Sequence, residues 1–123
     1  MSQILVVDDS DLERTELVKA LSKHGFDVVS ATNGRKAIPV LQNHPDLKLI
    51  IADLLMPEMT GVEFIEYVRN TLKNQQIKVI ISYSETSSSV RSDCKKLNIH
   101  GWMLKPVRID VTLKVLSKII GSP

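Results

Sequence analysis

One cysteine in 123 residues, Cys94, rules out a disulfide framework and any metal site built from several thiolates. Charge is nearly balanced: 16 Lys and Arg face 14 Asp and Glu, and the basic residues are scattered rather than striped. That net charge of +2 is too small to argue for a nucleic-acid footprint. Long hydrophobic runs are missing too. No window approaches the roughly 20 apolar residues of a membrane span, and Met1-Ser2-Gln3 opens no signal peptide. There is no internal repeat, and Ser87-Ser88-Ser89 is too short to count as low complexity. These absences point to a single domain over residues 1–123, cytoplasmic, with no membrane and no direct nucleic-acid partner.

What is present is a set of short apolar runs. Leu49-Ile50-Ile51-Ala52 is sized for a strand buried on both faces and stops abruptly on Asp53. After Met56-Pro57, the pattern Thr60-Gly61-Val62-Glu63 reads as a capping box opening a helix, with Gly61, Ile65, Val68 and Leu72 as its buried stripe. Ile4 to Val7 is a similar run ending on Asp8-Asp9, and Ser10-Asp11-Leu12-Glu13 is a second capping box. The helix it opens runs to about His24, with Gly25 as its stop. Phe26 to Ala31 reads as the second strand, and Asn33-Gly34 turns into a helix reaching about Asn43. Pro39 inside it predicts a kink or a later start. Lys78 to Ser82 is the fourth strand, and residues 86–98 form a polar helix with Val90, Cys94 and Leu97 inward. Trp102 to Leu104 is the fifth strand, ending on Lys105-Pro106, and Ile109, Leu113, Leu116 and Ile120 share one face of a last helix.

Strands and helices alternate five times, which predicts an α/β fold: a doubly wound five-stranded parallel sheet with five helices on both faces. Strands one, three and five then place Asp8, Asp9, Asp53 and Lys105 on one sheet edge, where open α/β sheets bind ligands. Carboxylates held together repel unless a cation neutralises them. A Mg2+ ion suits an all-oxygen set that leaves room for waters and a phosphoryl oxygen, and an Asp in such a site can attack phosphorus.

With Asp8-Asp9, Asp53, Met56-Pro57, Gly61 and Lys105-Pro106 in this order and spacing, the whole chain resembles a response-regulator receiver domain of two-component signalling. The resemblance implies the flavodoxin-like strand order 2-1-3-4-5. It implies that Asp53 takes a phosphoryl group from a histidine kinase or phosphotransfer protein, with Asp9, Asp53 and the Leu55 carbonyl on Mg2+ and Asp8 acting through water. Lys105 would bridge to the phosphoryl group, ahead of a Lys105-Pro106 bond that is often cis. The catalytic pair is then Asp53 and Lys105, and chemistry is limited to self-catalysed phosphoryl transfer and dephosphorylation. The output would be a protein-interaction face made by helix four, strand five and helix five, toward a downstream protein the sequence does not name. A phosphorylation-dependent dimer is left open, as is whether the chain stands alone or is cut from a longer protein.

The chain departs from the family after strand four. Tyr83 falls where a phosphoryl-binding Ser or Thr is usual, Ser84 follows it, and Trp102 stands at the switch aromatic. Ser82 or Ser84 would supply the hydroxyl only after a one-residue slip. Tyr83 therefore motivates a second reading, a pseudo-receiver that binds a partner without phosphorylation. Two other classes fit poorly. An Asp-nucleophile phosphatase needs a second Asp where Leu55 stands, and a flavodoxin-like electron carrier needs a phosphate-cradling loop where Asp8-Asp9 would repel phosphate.

Overall fold

The computed structural model describes residues 3–85 and 88–123. Met1 and Ser2, and with them the reading of the first residues, lie outside the described residues, as do Thr86 and Ser87 at the expected start of the fourth helix. The elements follow one another as β1 (Ile4–Val7), α1 (Asp11–Lys23), β2 (Val28–Ala31), α2 (Gly34–Asn43), β3 (Leu49–Asp53) and α3 (Gly61–Glu66). A π-helical turn over Tyr67–Thr71 then leads to β4 (Lys78–Tyr83), α4 (Ser88–Cys94), a 3-10 turn (Lys95–Leu97), β5 (Gly101–Leu104) and α5 (Ile109–Ile119). All five strands are parallel, in the order β2-β1-β3-β4-β5.

Because side chains alternate across a strand, each apolar run feeds two cores. Leu5, Val7, Ile50, Ala52, Val79 and Ile81 pack with Phe64, Ile65 and Val68 of the α3 region. Ile4, Val6, Leu49, Ile51 and Ile80 meet Leu21 of α1 and Leu116 of α5 on the other face. Each such fully buried aliphatic side chain is worth about 1.5–3 kcal/mol relative to exposure. Val7 pairs with Ala52, which sets Asp8 level with Asp53, and Asp53 pairs with Ser82. Tyr83 pairs with Leu104, which leaves Lys105 just past the end of β5.

Several element bounds differ from the sequence reading, each for a local reason. The second strand starts at Val28, because Phe26 turns inward and the Asp27 carbonyl accepts from both Gln3 and Ile4 N–H groups. Helix α2 begins at Gly34, with the Asn33 side chain accepting from Lys36 N–H, and it runs through Pro39 rather than starting beyond it. After Glu66 the helix widens by one residue, so Leu72 N–H donates to the Tyr67 carbonyl and Leu72 is only half-buried. That shift buries Arg69, whose guanidinium donates to the carbonyls of Leu97 (2.8 Å), Asn74 (3.0 Å) and Asn98 (3.1 Å). A buried cation persists only when its donors are satisfied, and here the Leu97 and Asn98 carbonyls tie the π-helical turn to the segment before β5, while the Asn74 carbonyl ties it to the loop before β4. Thr112, also buried, donates to the Arg108 carbonyl and joins the inner face of α5.

Candidate functional site at the carboxyl edge of the sheet

Each acid reaches the site because a strand ends there. Asp8 and Asp9 follow the last residue of β1, and Asp53 closes β3. One carboxylate oxygen from each of Asp8, Asp9 and Asp53 lies within 4.8 Å of the others. Asp8 and Asp53 are buried, whereas Asp9 faces solvent.

The loop after β3 is held from both sides. Leu54 N–H donates to the Ser82 carbonyl (2.8 Å), and Gly61 N–H donates to the Leu54 carbonyl (2.9 Å). The capping box read at Thr60 and Glu63 is complete in both directions, which fixes the start of α3 against this loop. Leu55 N–H points back at Asp53 Oδ1 (3.4 Å), so the Leu55 peptide lies beside the carboxylate. The Leu55 side chain stands out in solvent, 65% exposed.

Lys105 spans the site. Its Nζ donates to Asp53 Oδ2 (3.0 Å), Asp8 Oδ2 (3.1 Å) and Glu13 Oε2 (2.6 Å), which uses all three ammonium hydrogens. The Lys105-Pro106 peptide is cis. Burial works against the charge on Lys105, but Glu13, Asp53 and Asp8 outweigh it and its pKa is raised. Asp53 is also raised, first by burial and then by the neighbouring Asp8 charge, although Lys105 and the Leu55 N–H pull it down. Three carboxylates thus bond one ammonium, and the Asp9 carboxylate lies beside two of them. The set offers hard oxygen donors only, which is the donor chemistry a Mg2+ ion requires.

Glu13 is the member that the sequence reading missed. Ser10 and Glu13 look like a capping box, yet only half of it forms: Ser10 Oγ accepts from Glu13 N–H (3.2 Å), while Ser10 N–H turns to Asp8 Oδ1 (2.9 Å). The Glu13 carboxylate is thereby free for Lys105, 92 residues away.

The three residues read as a switch lie at the end of β4 and on β5. Tyr83 closes β4 without a register slip, and its hydroxyl accepts from Arg91 Nη2 (2.8 Å) on α4. Ser84 is exposed beyond the strand. Ser82 is buried opposite Asp53 and faces the cleft between α1 and α5, together with Asp8 and Glu13. Trp102 is half-buried on β5, its ring edge-on to Tyr83. Cys94 is buried and free, with burial pushing its thiol pKa up, as expected of a core residue.

Comparison with known proteins finds relatives over nearly the whole chain. The sequence profile of the response regulator receiver domain aligns with residues 4–117. Two-component response regulator ORR11 of Oryza sativa subsp. indica is 32% identical over 117 residues, covering 95% of this chain and 80% of the relative. Among solved structures, chemotaxis protein CheY4 of Vibrio cholerae superposes with a TM-score of 0.90 at 32% identity, over 98% of this chain and 99% of its own. The CheX-CheY-BeF3-Mg complex from Borrelia burgdorferi shares the fold, with a TM-score of 0.85 at 23% identity over 96% of this chain and 88% of that one. Among the described residues no helix is long and apolar enough to cross a membrane.

Proposed function

Since the chain belongs to the response regulator receiver domain family of two-component systems, we propose that residues 1–123 act as one receiver whose Asp53 accepts a phosphoryl group. The observation that carries this reading is the meeting of Asp8, Asp9 and Asp53 within 4.8 Å, with Lys105 on the Asp53 carboxylate. A phosphohistidine of a histidine kinase or phosphotransfer protein is the donor. An Asp53 oxygen forms a bond to phosphorus as the phosphorus–nitrogen bond breaks, and the leaving imidazole takes a proton from solvent.

Asp9, Asp53 and the Leu55 carbonyl would hold Mg2+, with Asp8 acting through water. The ion supplies positive charge that neutralises the oxygens of the transferring group. Lys105 supplies the remaining positive charge. It already touches Asp53, and in the phosphorylated chain a phosphoryl oxygen takes over one of its hydrogen bonds. Burial of Asp53 strengthens these electrostatic contacts and limits water access. The receiver thus transfers and loses its own phosphoryl group and acts on no other substrate. The charge added at Asp53 biases the loops after β3 and β4, and through them the face formed by α4, β5 and α5.

A second reading, a pseudo-receiver, is favoured by one observation: the Tyr83 hydroxyl is engaged by Arg91 on α4 rather than by the acceptor carboxylate. Incubation with a small phosphodonor, followed by intact-mass measurement, separates the two. The receiver gains one phosphate, acid-stable and base-labile, with Mg2+ and not with chelator, and Asp53→Asn gains none. A parent chain that stays unmodified under all conditions is the pseudo-receiver.

A further inference from the structure

We propose that Arg91 is a clamp that holds Tyr83, Trp102 and α4 in the unphosphorylated arrangement, and that release of its guanidinium gates the response to phosphorylation. The clamp itself stands on geometry alone, and its gating role rests on the reading of Asp53 as the phosphoryl acceptor.

Tyr83 and Trp102 come from neighbouring strands, with ring centroids 5.9 Å apart and planes inclined at 75°. That edge-to-face pairing leaves both rings available to a cation on the α4 side. Arg91 fills this position. Its guanidinium carbon lies 5.1 Å from the Tyr83 centroid and 4.6 Å from the Trp102 centroid, both within cation–π range. The same group donates to the Tyr83 hydroxyl at 2.8 Å. One side chain therefore joins α4 to β4 and β5 by three contacts.

These contacts matter because they tie α4 to two strands at once. Of its seven residues only Cys94 is fully buried. The partner positions are also those at which this chain departs from its family. A tyrosine closes β4, and since Ile81 faces the core beneath α2 and α3, Tyr83 two residues on faces the same side and meets α4. Its hydroxyl is spoken for by Arg91. A phosphoryl group on Asp53 can shift α4 or reorient Trp102 only by giving up the guanidinium contacts, so the clamp favours the resting state.

The size of the effect follows from the contacts. A solvent-exposed cation–ring contact changes an equilibrium by about two- to fivefold. Two rings and one hydrogen bond share a single guanidinium, so their contributions do not add in full, and loss of the clamp moves the balance about three- to tenfold toward the state that binds a phosphoryl group.

Trp102 is the sole tryptophan, so its emission reports the cluster directly. Acrylamide quenching of the unliganded full chain is compared among the parent, Arg91→Ala, Arg91→Lys and Tyr83→Phe. Arg91→Ala raises the quenching constant about twofold, Arg91→Lys raises it less, and Tyr83→Phe, which keeps both ring contacts, least of all. Beryllofluoride with Mg2+, a phosphoryl mimic, is then titrated against the same proteins. Arg91→Ala lowers the apparent Kd by about three- to tenfold. Unchanged quenching in Arg91→Ala overturns the clamp, and an unchanged or raised Kd overturns the gating. A parent chain that does not bind beryllofluoride overturns the acceptor reading, and with it the gating, while the quenching comparison still decides the clamp.

Discussion

Gly61 opens α3 directly beneath the loop after β3, and replacing it with alanine sets two physical effects against each other. Its N–H is fixed to the Leu54 carbonyl at 2.9 Å. A Cβ at this position lies 2.3 Å from the Asp53 carbonyl oxygen, 3.0 Å from Leu54 Cα and 3.1 Å from the Asp53 carbonyl carbon. Carbon atoms in ordinary contact sit about 3.5–4.0 Å apart, so the loop or the helix must retreat by about 1 Å. All three atoms belong to backbone, so no side chain can rotate away. Overpacking of this kind costs about 1–3 kcal/mol, and backbone on both sides places Gly61→Ala at the upper end. Alanine returns at most about 1 kcal/mol of helix propensity. The net loss is about 2 kcal/mol, a fall in Tm of about 6–10 °C for a domain of this size. Gly34→Ala is the control: its Cβ meets the Met59 sulfur at 2.8 Å, on a flexible side chain that can swing aside, and the Phe64 Cβ at 3.2 Å, which must give by only a few tenths of an ångström, so its melting point falls by much less. Thermal melts followed by circular dichroism measure both variants. A Gly61→Ala chain that melts at or above the parent, as propensity alone dictates, refutes the close packing of α3 on the loop after β3.

Saturating Mg2+ raises the melting temperature, because an ion bound only by the folded chain adds about 2.7 kcal/mol at a hundred times its Kd. Asp9→Asn removes that gain without disturbing the core, since Asp9 is exposed, and an equal Mg2+ shift in both proteins sinks the assignment of Asp9. Leu55 cannot hydrogen-bond a water approaching the phosphoryl group, so Leu55→Asn shortens the lifetime of the phosphorylated chain; an unchanged lifetime by intact mass removes the idea. His100 accepts from Val79 N–H through Nδ1 (3.2 Å), and burial, with Lys78 and Arg69 nearby, lowers its pKa from 6.5. A histidine depressed in the folded state contributes fully above the unfolded value, and that stability falls as pH drops below about 6.5. The loss is at most about 1.4 kcal/mol per pH unit. Melts between pH 7.5 and 5.5 detect it, and a His100→Gln chain with the same slope as the parent argues against this source.

Strand-forming runs and their carboxylate ends were legible because parallel strands, covered on both faces, must be apolar throughout. Once Asp8, Asp9, Asp53 and Lys105 fell at run ends, the topology brought them to one rim. Contacts between long polar side chains carried no such signal. Glu13 had the spacing of a capping box, but Ser10 N–H is taken by Asp8 and the Glu13 carboxylate goes to Lys105. Arg69 sat beside a regular apolar stripe, and the π-helical turn that rotates it inward depends on carbonyls near residues 97 and 98. Arg91 lay on what reads as a solvated helix face, where nothing in one strand's sequence announces two rings on other strands waiting for a cation.

Localising the phosphate tests the central claim most directly. Chain treated with phosphodonor and Mg2+ is reduced with borohydride, which converts an aspartyl phosphate to homoserine, and its peptides are sequenced by mass. The account predicts homoserine at position 53 alone, absent when Mg2+ is chelated. Homoserine at another position, or an intact Asp53 in chain that carries phosphate, contradicts it.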